Sequence, residues 1–358
     1  VIHSLDGGGA ERVMAGLAGR LAKRNHRVDL ITLDDGSRSR HHLDGAVHRI
    51  PLDVMSTPDR KVGWIRRVRR LRAAIGQGGY DVVLSFCDST NLLVLLATRG
   101  LRPLPRVVVS ERSDPAHQSM GRLREWLRDR AYPQADAVVC LSDDVAATLN
   151  RRMKVHTVVI PSAIQTPPPG YEHVGSTENE ASPVSLIAIG RLEREKGFDR
   201  LLQALAEATQ AKTVPSWRLK ILGDGSQLSE LQRQARELGI EERVEFCGWV
   251  GSVWPHLAQS DVFVLPSRYE GFPSALLEAM TGGLAVLAVD AGGGVRSAIQ
   301  HEANGWLVEN TTPALTEGLA TLLPDVKLQV KLSTAAPEIS NQFHWSTMVD
   351  AYEQVLRG

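Results

Sequence analysis

Residues 184–226, VSLIAIGRLEREKGFDRLLQALAEATQAKTVPSWRLKILGDGS, carry the reading that decides the fold. VSLIAIG (184–190) is a short apolar run closed by glycine, and WRLKILG (217–223) is another. Between them FDRLLQALAEAT (198–209) repeats its apolar residues at helical spacing. Strand, helix and strand of these lengths make a crossover unit, and such units build parallel sheets covered on both faces.

The alternation runs on downstream. A helix at SQLSELQRQARELG (226–239) is followed by strands RVEFCGW (243–249) and DVFVLPS (261–267), the helix SALLEAM (274–280) and the strand LAVLAVD (284–290). WSTMVDAYEQVL (345–356) closes the chain as an amphipathic helix. Upstream, RVDLITL (27–33), YDVVLSF (80–86), RVVVS (106–110), ADAVVCLS (135–142) and HTVVIPS (156–162) are strands, and the opening Val1-Ile2-His3 reads as the end of one. GAERVMAGLAGRLAKRN (9–25), NLLVLLATRG (91–100) and DDVAATLNRRM (143–153) are helices. QTPPPGYEHVGSTENEASP (165–183) has no periodicity and is a linker. The expected class is α/β, two Rossmann-like doubly wound domains facing a cleft: 1–163, a linker 164–183, and 184–338. Residues 339–358 form a helix packing back toward the first domain. In such sheets ligands bind beyond the carboxyl ends of the strands.

The 358 residues suit two cores rather than one. With 43% hydrophobic and 23% charged residues, disorder and fibrous classes are excluded. Cys87, Cys140 and Cys247 lack disulfide or metal spacing; Cys87 and Cys140 end apolar runs and read as buried thiols, and a reducing compartment fits. No apolar run reaches the roughly 18 residues of a membrane span. The net charge is zero, yet residues 1–165 hold 26 Lys+Arg against 17 Asp+Glu, and the remainder 15 against 24. Such a split marks a lobe facing an anionic surface or ligand.

Four motifs follow strands. Asp6-Gly7-Gly8-Gly9-Ala10-Glu11-Arg12 opens the first helix, where bare backbone and free N–H groups suit an anion; a tight turn is the plainer alternative. Gly190 to Gly197 places Arg191 and Lys196 before a helix, suited to a diphosphate leaving group or simply solvated. Gly223-Asp224-Gly225 repeats the device, with Asp224 either touching ligand or capping the next helix. Arg268-Tyr269-Glu270-Gly271-Phe272-Pro273-Ser274-Ala275-Leu276-Leu277-Glu278 sets two carboxylates about a helix start, and a carboxylate can accept both hydrogen bonds of a diol. The apolar flanks of Glu278 argue against a surface glutamate.

With these motifs in this order the chain resembles glycosyltransferase family 4, with its GT-B fold, most densely over 186–308. The start GGGAER resembles a bacterial subgroup that builds surface polysaccharides and lipid-linked oligosaccharides, including enzymes that add GalNAc. The resemblance implies a retaining hexosyltransferase that needs no metal or other cofactor. It acts on a nucleotide-diphosphate sugar, UDP by subgroup, and a lipid-diphosphate-linked saccharide, at the inner face of the cell membrane. It implies that Arg191 and Lys196 bind the diphosphate. Glu270, with the amides of Gly271, Phe272 and Pro273, orients the sugar, and Glu278 holds the ribose. The backbone at Trp249 and Val250 meets the base, and Gly8 and Gly9 lie over phosphate and acceptor in an acceptor-binding first domain. Asp224 and Gly225 join the donor set. Domain closure over the donor is expected. Where many members carry a sugar-contacting His, this chain reads Ser110-Glu111-Arg112-Ser113-Asp114-Pro115 with His117 beyond, so the contact passes to Glu111 or Arg112. Arg296-Ser297 stands where family members often have Glu, and Gly283-Leu284-Ala285-Val286 replaces Gly-x-Pro-Val.

Trp64, Val68, Leu71 and Ile75 form the apolar stripe of a helix otherwise filled by Arg66, Arg67, Arg69, Arg70 and Arg72. Arg122 to Arg130, with Trp126, is a second basic stretch. Both read either as packed helices with solvated arginines or as contacts to an anionic membrane surface. A nucleic-acid partner is set aside for want of an aromatic platform or reading helix. A nicotinamide dehydrogenase is disfavoured by the missing G-x-G-x-x-G. A non-catalytic binding subunit, or an epimerase or hydrolase of UDP-sugars, remains the alternative on the same fold.

Overall fold

The computed structural model describes residues 1–55, 60–113, 121–171 and 182–358. Asp114, Pro115, His117 and most of the expected linker lie outside the described residues. The chain divides into two units, Val1–Ala163 with Trp345–Gly358, and Ile164–His344.

In the first unit β1 (Asp29–Thr32) and β2 (His48–Pro51) pair in parallel. Strands β3 (Val82–Phe86), β4 (Arg106–Ser110), β5 (Ala137–Cys140) and β6 (Thr157–Val159) lie side by side in that order, also parallel. The opening residues join the two sets: Ile2 bridges Thr32, and the Phe86 N–H donates to the Val1 carbonyl at 3.2 Å. Helices α1 (Gly9–Lys23), α2 (Arg60–Gly78), α3 (Asp88–Thr98), α4 (Arg122–Ala131) and α5 (Asp143–Arg152) connect them.

The apolar runs of β4 and β5 have a physical cause. Val107, Val109 and Val138 face one core with Leu71, Ile75 and Leu92, whereas Val108, Ala137 and Val139 face another with Leu17 and Tyr352. Successive strand residues point to opposite faces, and here both faces are covered. Each such valine contributes about 1.5–3 kcal/mol of burial.

The basic helix of the sequence reading is α2, and its stripe faces inward. Leu71 and Ile75 are buried, and Trp64 and Val68 pack on the same core. Trp64 is therefore a packing residue, which corrects its assignment to a membrane face. The outward face carries Ile65, 60% exposed, with Arg66, Arg69 and Arg70. Arg67 is turned aside, donating from Nε to the Val54 carbonyl at 3.0 Å. Helix α4 buries Arg128 and exposes Leu123 and Trp126, the reverse of a plain surface helix.

In the second unit the sheet order is β12 (Trp306–Val308), β11 (Ala285–Val289), β10 (Val262–Leu265), β7 (Val184–Ile189), β8 (Trp217–Leu222), β9 (Val244–Gly248), all parallel. The chain starts in the middle at β7, builds outward to β9, then crosses to β10 and builds the other way. The strand order thus reverses between β7 and β10, the place where α/β sheets open a crevice. Helices α6 (Phe198–Gln210), α7 (Leu228–Glu237), α8 (Trp254–Leu257), α9 (Ser274–Thr281), α10 (Gly293–Ala298), α11 (Thr312–Leu322) and α12 (Val326–Ala335) complete the unit. Residues 336–341 form a 3-10 segment of this unit, so the closing helix α13 (Trp345–Arg357) starts later than residue 339. In the first unit α13 sets Trp345 under Arg20, 3.8 Å from guanidinium to ring, and Tyr352 3.2 Å from the Ser110 hydroxyl.

Candidate active site

The loops after β7 and β10 flank the reversal of strand order, and each delivers one charged side chain to it. Lys196 ends the first loop and Glu270 lies in the second. Lys196 Nζ donates to Glu270 Oε1 at 2.7 Å and Oε2 at 2.9 Å, and the Ser267 hydroxyl donates to Oε1 at 2.6 Å. Glu270 is buried and Lys196 half-buried. A buried carboxylate so supported is held in one orientation.

Backbone bonds lace the loops together. Arg268 N–H donates to the Glu195 carbonyl and Glu270 N–H to that of Ala291, each at 2.8 Å. Arg268 grips both oxygens of Asp199 at 2.7 and 2.6 Å. Asn310 donates to the Arg268 carbonyl at 2.8 Å and accepts from Arg200 at 2.9 Å. Ser267, Asp199, Arg200 and Asn310 were missed in the sequence reading, because no motif spacing marks a side chain whose role is to hold a distant loop.

Arg191 is exposed and pairs with Glu195 at 2.9 Å. Glu193 accepts from the Ser226 N–H at 3.0 Å and hydroxyl at 2.7 Å, which hold its carboxyl below the usual range. Asp224 and Gly225 are exposed in the turn after β8. Helix α7 begins at Leu228 with Gln227 before it and no side-chain cap, so the capping reading of Asp224 falls. Trp249 is exposed after β9, and Val250 packs against the core.

Gly271, Phe272 and Pro273 lead into α9. Proline has no N–H, so of the three amides expected there only Gly271 and Phe272 can donate. Glu278 is buried within α9 and is no surface residue.

In the first unit Glu111 follows β4 and is fully buried. Its Oε2 accepts from the Tyr132 hydroxyl at 2.9 Å and its Oε1 from that of Ser113 at 2.8 Å. Asn91 extends this network to Tyr132 at 3.2 Å, the Ser110 carbonyl at 2.9 Å and Ser85 at 2.7 Å. Burial, with Asp88 adding, pushes the Glu111 carboxyl above its usual range. Glu111 is thus spent on the interior, and Arg112 is the member of that pair left near the surface. Arg112 is half-buried, 4.7 Å over the Phe86 ring, and donates to Ser162. Gly8 and Gly9 are exposed at the head of α1. Among the cysteines only Cys140 is buried; Cys87 and Cys247 are half-buried, and all are free.

Each unit is built on parallel strands, and in the second a lysine and a carboxylate meet where strand order reverses. Residues 7–166 match the model of Glycosyltransferase Family 4, and residues 172–339 that of Glycosyl transferases group 1. The chain belongs to the GT-B glycosyltransferases. It is 24% identical to an uncharacterized glycosyltransferase of Haemophilus influenzae, over 98% of this chain and 96% of that one. It is 26% identical to a Campylobacter jejuni α-1,4-N-acetyl-D-galactosaminyltransferase named for a PP-undecaprenol-linked acceptor, over 99% and 97%. Among solved structures Anabaena HepE, in complex with UDP and glucose, matches with a TM-score of 0.81 at 20% identity, over 100% of this chain and 98% of that one.

Proposed function

We propose that this chain moves a hexose or N-acetylhexosamine from a UDP-sugar to a lipid-diphosphate-linked saccharide, with retention of configuration and without a metal. The pairing of Lys196 with Glu270 at the sheet's reversal point carries the reading. A diphosphate drawn to Lys196 and Arg191 meets the charges that stabilise it as a leaving group. Glu270 and the amides of Gly271 and Phe272 then lie beside the sugar, and Glu278 and the backbone near Trp249 serve the nucleoside. The bond from C1 to the diphosphate oxygen breaks, and its electron pair stays on that oxygen. The acceptor hydroxyl bonds to C1 on the same face and passes its proton to the departing oxygen. The names of the Campylobacter relative and of the UDP-bound neighbour support this choice of partners.

The test is a thermal-shift panel of UDP, GDP, ADP, NAD and UDP-sugars without metal, followed by transfer assays with the UDP-sugars that bind. Stabilisation of about 2.7 kcal/mol is expected at 100 times the dissociation constant. A shift with NAD alone, or with none, would reject the reading.

Attachment to the inner membrane face belongs to the same proposal. It rests on Leu123, 71% exposed, and Trp126, 52% exposed, among Arg122, Arg124 and Arg130, and on the outward arginines of α2. Exposed apolar side chains ringed by cations fit anionic lipid. Among the described residues no helix is long and apolar enough to cross a membrane.

A further inference from the structure

The loop that carries Glu270 rests on a third turn, the one after β11. Glu270 N–H donates to the Ala291 carbonyl at 2.8 Å. A methyl group built on Gly292 would lie 3.4 Å from the Glu270 carbonyl oxygen. One built on Gly294 would lie 3.0 Å from the Gly271 carbonyl oxygen, 3.1 Å from Pro273 Cδ and 3.4 Å from Phe272 Cα. The strip 291–294 therefore lies against every residue from Glu270 to Pro273, and a single added carbon at Gly294 would press on that loop.

Gly292, Gly293 and Gly294 do not choose this path by themselves. Glycine has the most backbone freedom to lose on ordering, and Gly292 takes φ +120°. The path is imposed from its two ends. Asp290, just past β11, is fixed by its N–H on the Val308 carbonyl at 2.8 Å, and its Oδ1 accepts from the Gly292 N–H at 3.3 Å. Beyond the glycines, Arg296 of α10 returns to the same carboxylate, with Nη1 2.8 Å from Oδ1 and 3.0 Å from Oδ2. The Ser297 hydroxyl adds a bond to the Gly294 carbonyl at 3.0 Å. Asp290 and Arg296 thus tie the glycine strip shut at its base. Their side chains are 33% and 51% exposed, and ion pairs so exposed add little to the stability of a fold. The effect of this one falls on the strip it closes and on the loop seated there.

We propose that Asp290 and Arg296 are positioning residues: their ion pair sets the glycine strip that seats the Glu270–Pro273 loop, and so aims the Glu270 carboxylate and the Gly271 and Phe272 amides at the donor sugar. Neither residue touches substrate. The role rests on the transferase reading, in which that loop meets the sugar while the nucleoside is held elsewhere. A small shift of such a loop slows transfer far more than it weakens nucleotide binding.

The experiment uses the full chain with Asp290→Ala, Arg296→Ala, their double variant, Arg296→Lys and Gly294→Ala. UDP affinity is measured by calorimetry, and UDP release is followed from UDP-N-acetylgalactosamine, UDP-galactose and UDP-glucose with a synthetic polyprenyl-diphosphate-linked saccharide as acceptor. Each alanine variant at 290 or 296 should lower kcat by about tenfold and move KM for the donor by less than about threefold. UDP affinity should stay within about twofold, and the melting temperature should fall by no more than about 4 °C. The double variant should lose about as much kcat as either single one, because the two residues act as one tie. Arg296→Lys should recover most of the rate, since one nitrogen already reaches both oxygens of Asp290. Gly294→Ala leaves the ion pair in place and presses on the Gly271 carbonyl, so it should lower kcat in the same way.

Unchanged kcat in Arg296→Ala or in Gly294→Ala would overturn the positioning role. So would losses that multiply in the double variant, no recovery with lysine, or a kcat loss that only follows a collapse in melting temperature. A loss in Arg296→Ala that Asp290→Ala does not share would mean that Arg296 meets substrate directly, which also overturns it. Each of these leaves the transferase reading standing. A wild-type chain that neither binds UDP nor turns over any of the three donors would remove that reading, and the positioning role with it.

Discussion

Lys196 Nζ bonds both carboxylate oxygens of Glu270, at 2.7 and 2.9 Å, from the loop after a neighbouring strand. The pair has two separable roles. Held together, it anchors the two loops; in the proposed transfer, a diphosphate would open it, taking the cation for the leaving group and leaving the carboxylate to the sugar.

Lys196→Ala and Glu270→Ala should each lower transfer by about a hundredfold or more, the usual loss when one group stabilising developing charge is removed. Stability should respond unequally. Lys196→Ala leaves a buried carboxylate short of its partner, a loss of about 1–3 kcal/mol. Adding Glu270→Gln should recover most of that stability and none of the activity. Denaturant melts and turnover of the single and double variants check this, and retained turnover in either single variant would refute the site.

Glu111 makes a pH-dependent claim. Burial raises its carboxyl above the ordinary 4.5, so the folded chain holds that proton more tightly than the unfolded one. The cost of ionising it is absent below about pH 4.5, grows as pH rises past that value, and is complete above the folded pKa. Glu111→Gln should therefore gain melting temperature over the wild type at pH 8 and gain little at pH 4. A pH-independent difference would contradict the buried placement.

Gly197 has φ +68°, and a methyl group built on it would lie 2.0 Å from the Pro266 carbonyl oxygen. Gly197→Ala should lower stability by more than the roughly 1–2 kcal/mol of left-handed backbone strain, because it also pushes apart the loops bearing Lys196 and Glu270. It should weaken UDP binding as well. Gly79→Ala is the control: φ is +61° with nothing within 4 Å, so only the strain remains. Equal losses in the two variants would show that the Pro266 contact is without consequence.

For membrane attachment the contrast lies within and between helices. Leu123→Ser with Trp126→Ser, or Arg66→Glu with Arg70→Glu, should cut recovery on anionic vesicles at low salt and leave the melting temperature unchanged. Each cation near such a surface is worth about 1 kcal/mol, so reversing two should cost well over tenfold. Trp64→Ser should do the opposite, because its ring packs on the core. Full vesicle binding by both surface variants would rule the attachment out.

The sequence by itself determined the repeating strand–helix units and the turns at the strand ends to which the chemistry is assigned in the proposal. Apolar β-branched runs ended by glycine, as at Gly190 and Gly223, have few alternatives once both faces of a sheet are covered. It also singled out Glu270, Glu278, Arg191 and Lys196, because each lies a short, readable distance beyond a strand or into a helix. Helices α11 and α12 and strand β12 escaped notice, being short or weakly patterned elements that gain their order from packing on the sheet. Tertiary structure alone decided which charges meet. Lys196 and Glu270 are 74 positions apart and touch only because β7 and β10 are neighbours in the sheet. Periodicity could not say that the stripe of α2 faces the core while α4 turns Leu123 and Trp126 outward, since an apolar stripe looks the same against protein or lipid. Nor could the glycines at the head of α1 reveal that Glu11 is buried beside them, 3.0 Å from His3. Local spacing specifies where a side chain leaves the backbone; the sheet order and the packing around it specify what that side chain finds.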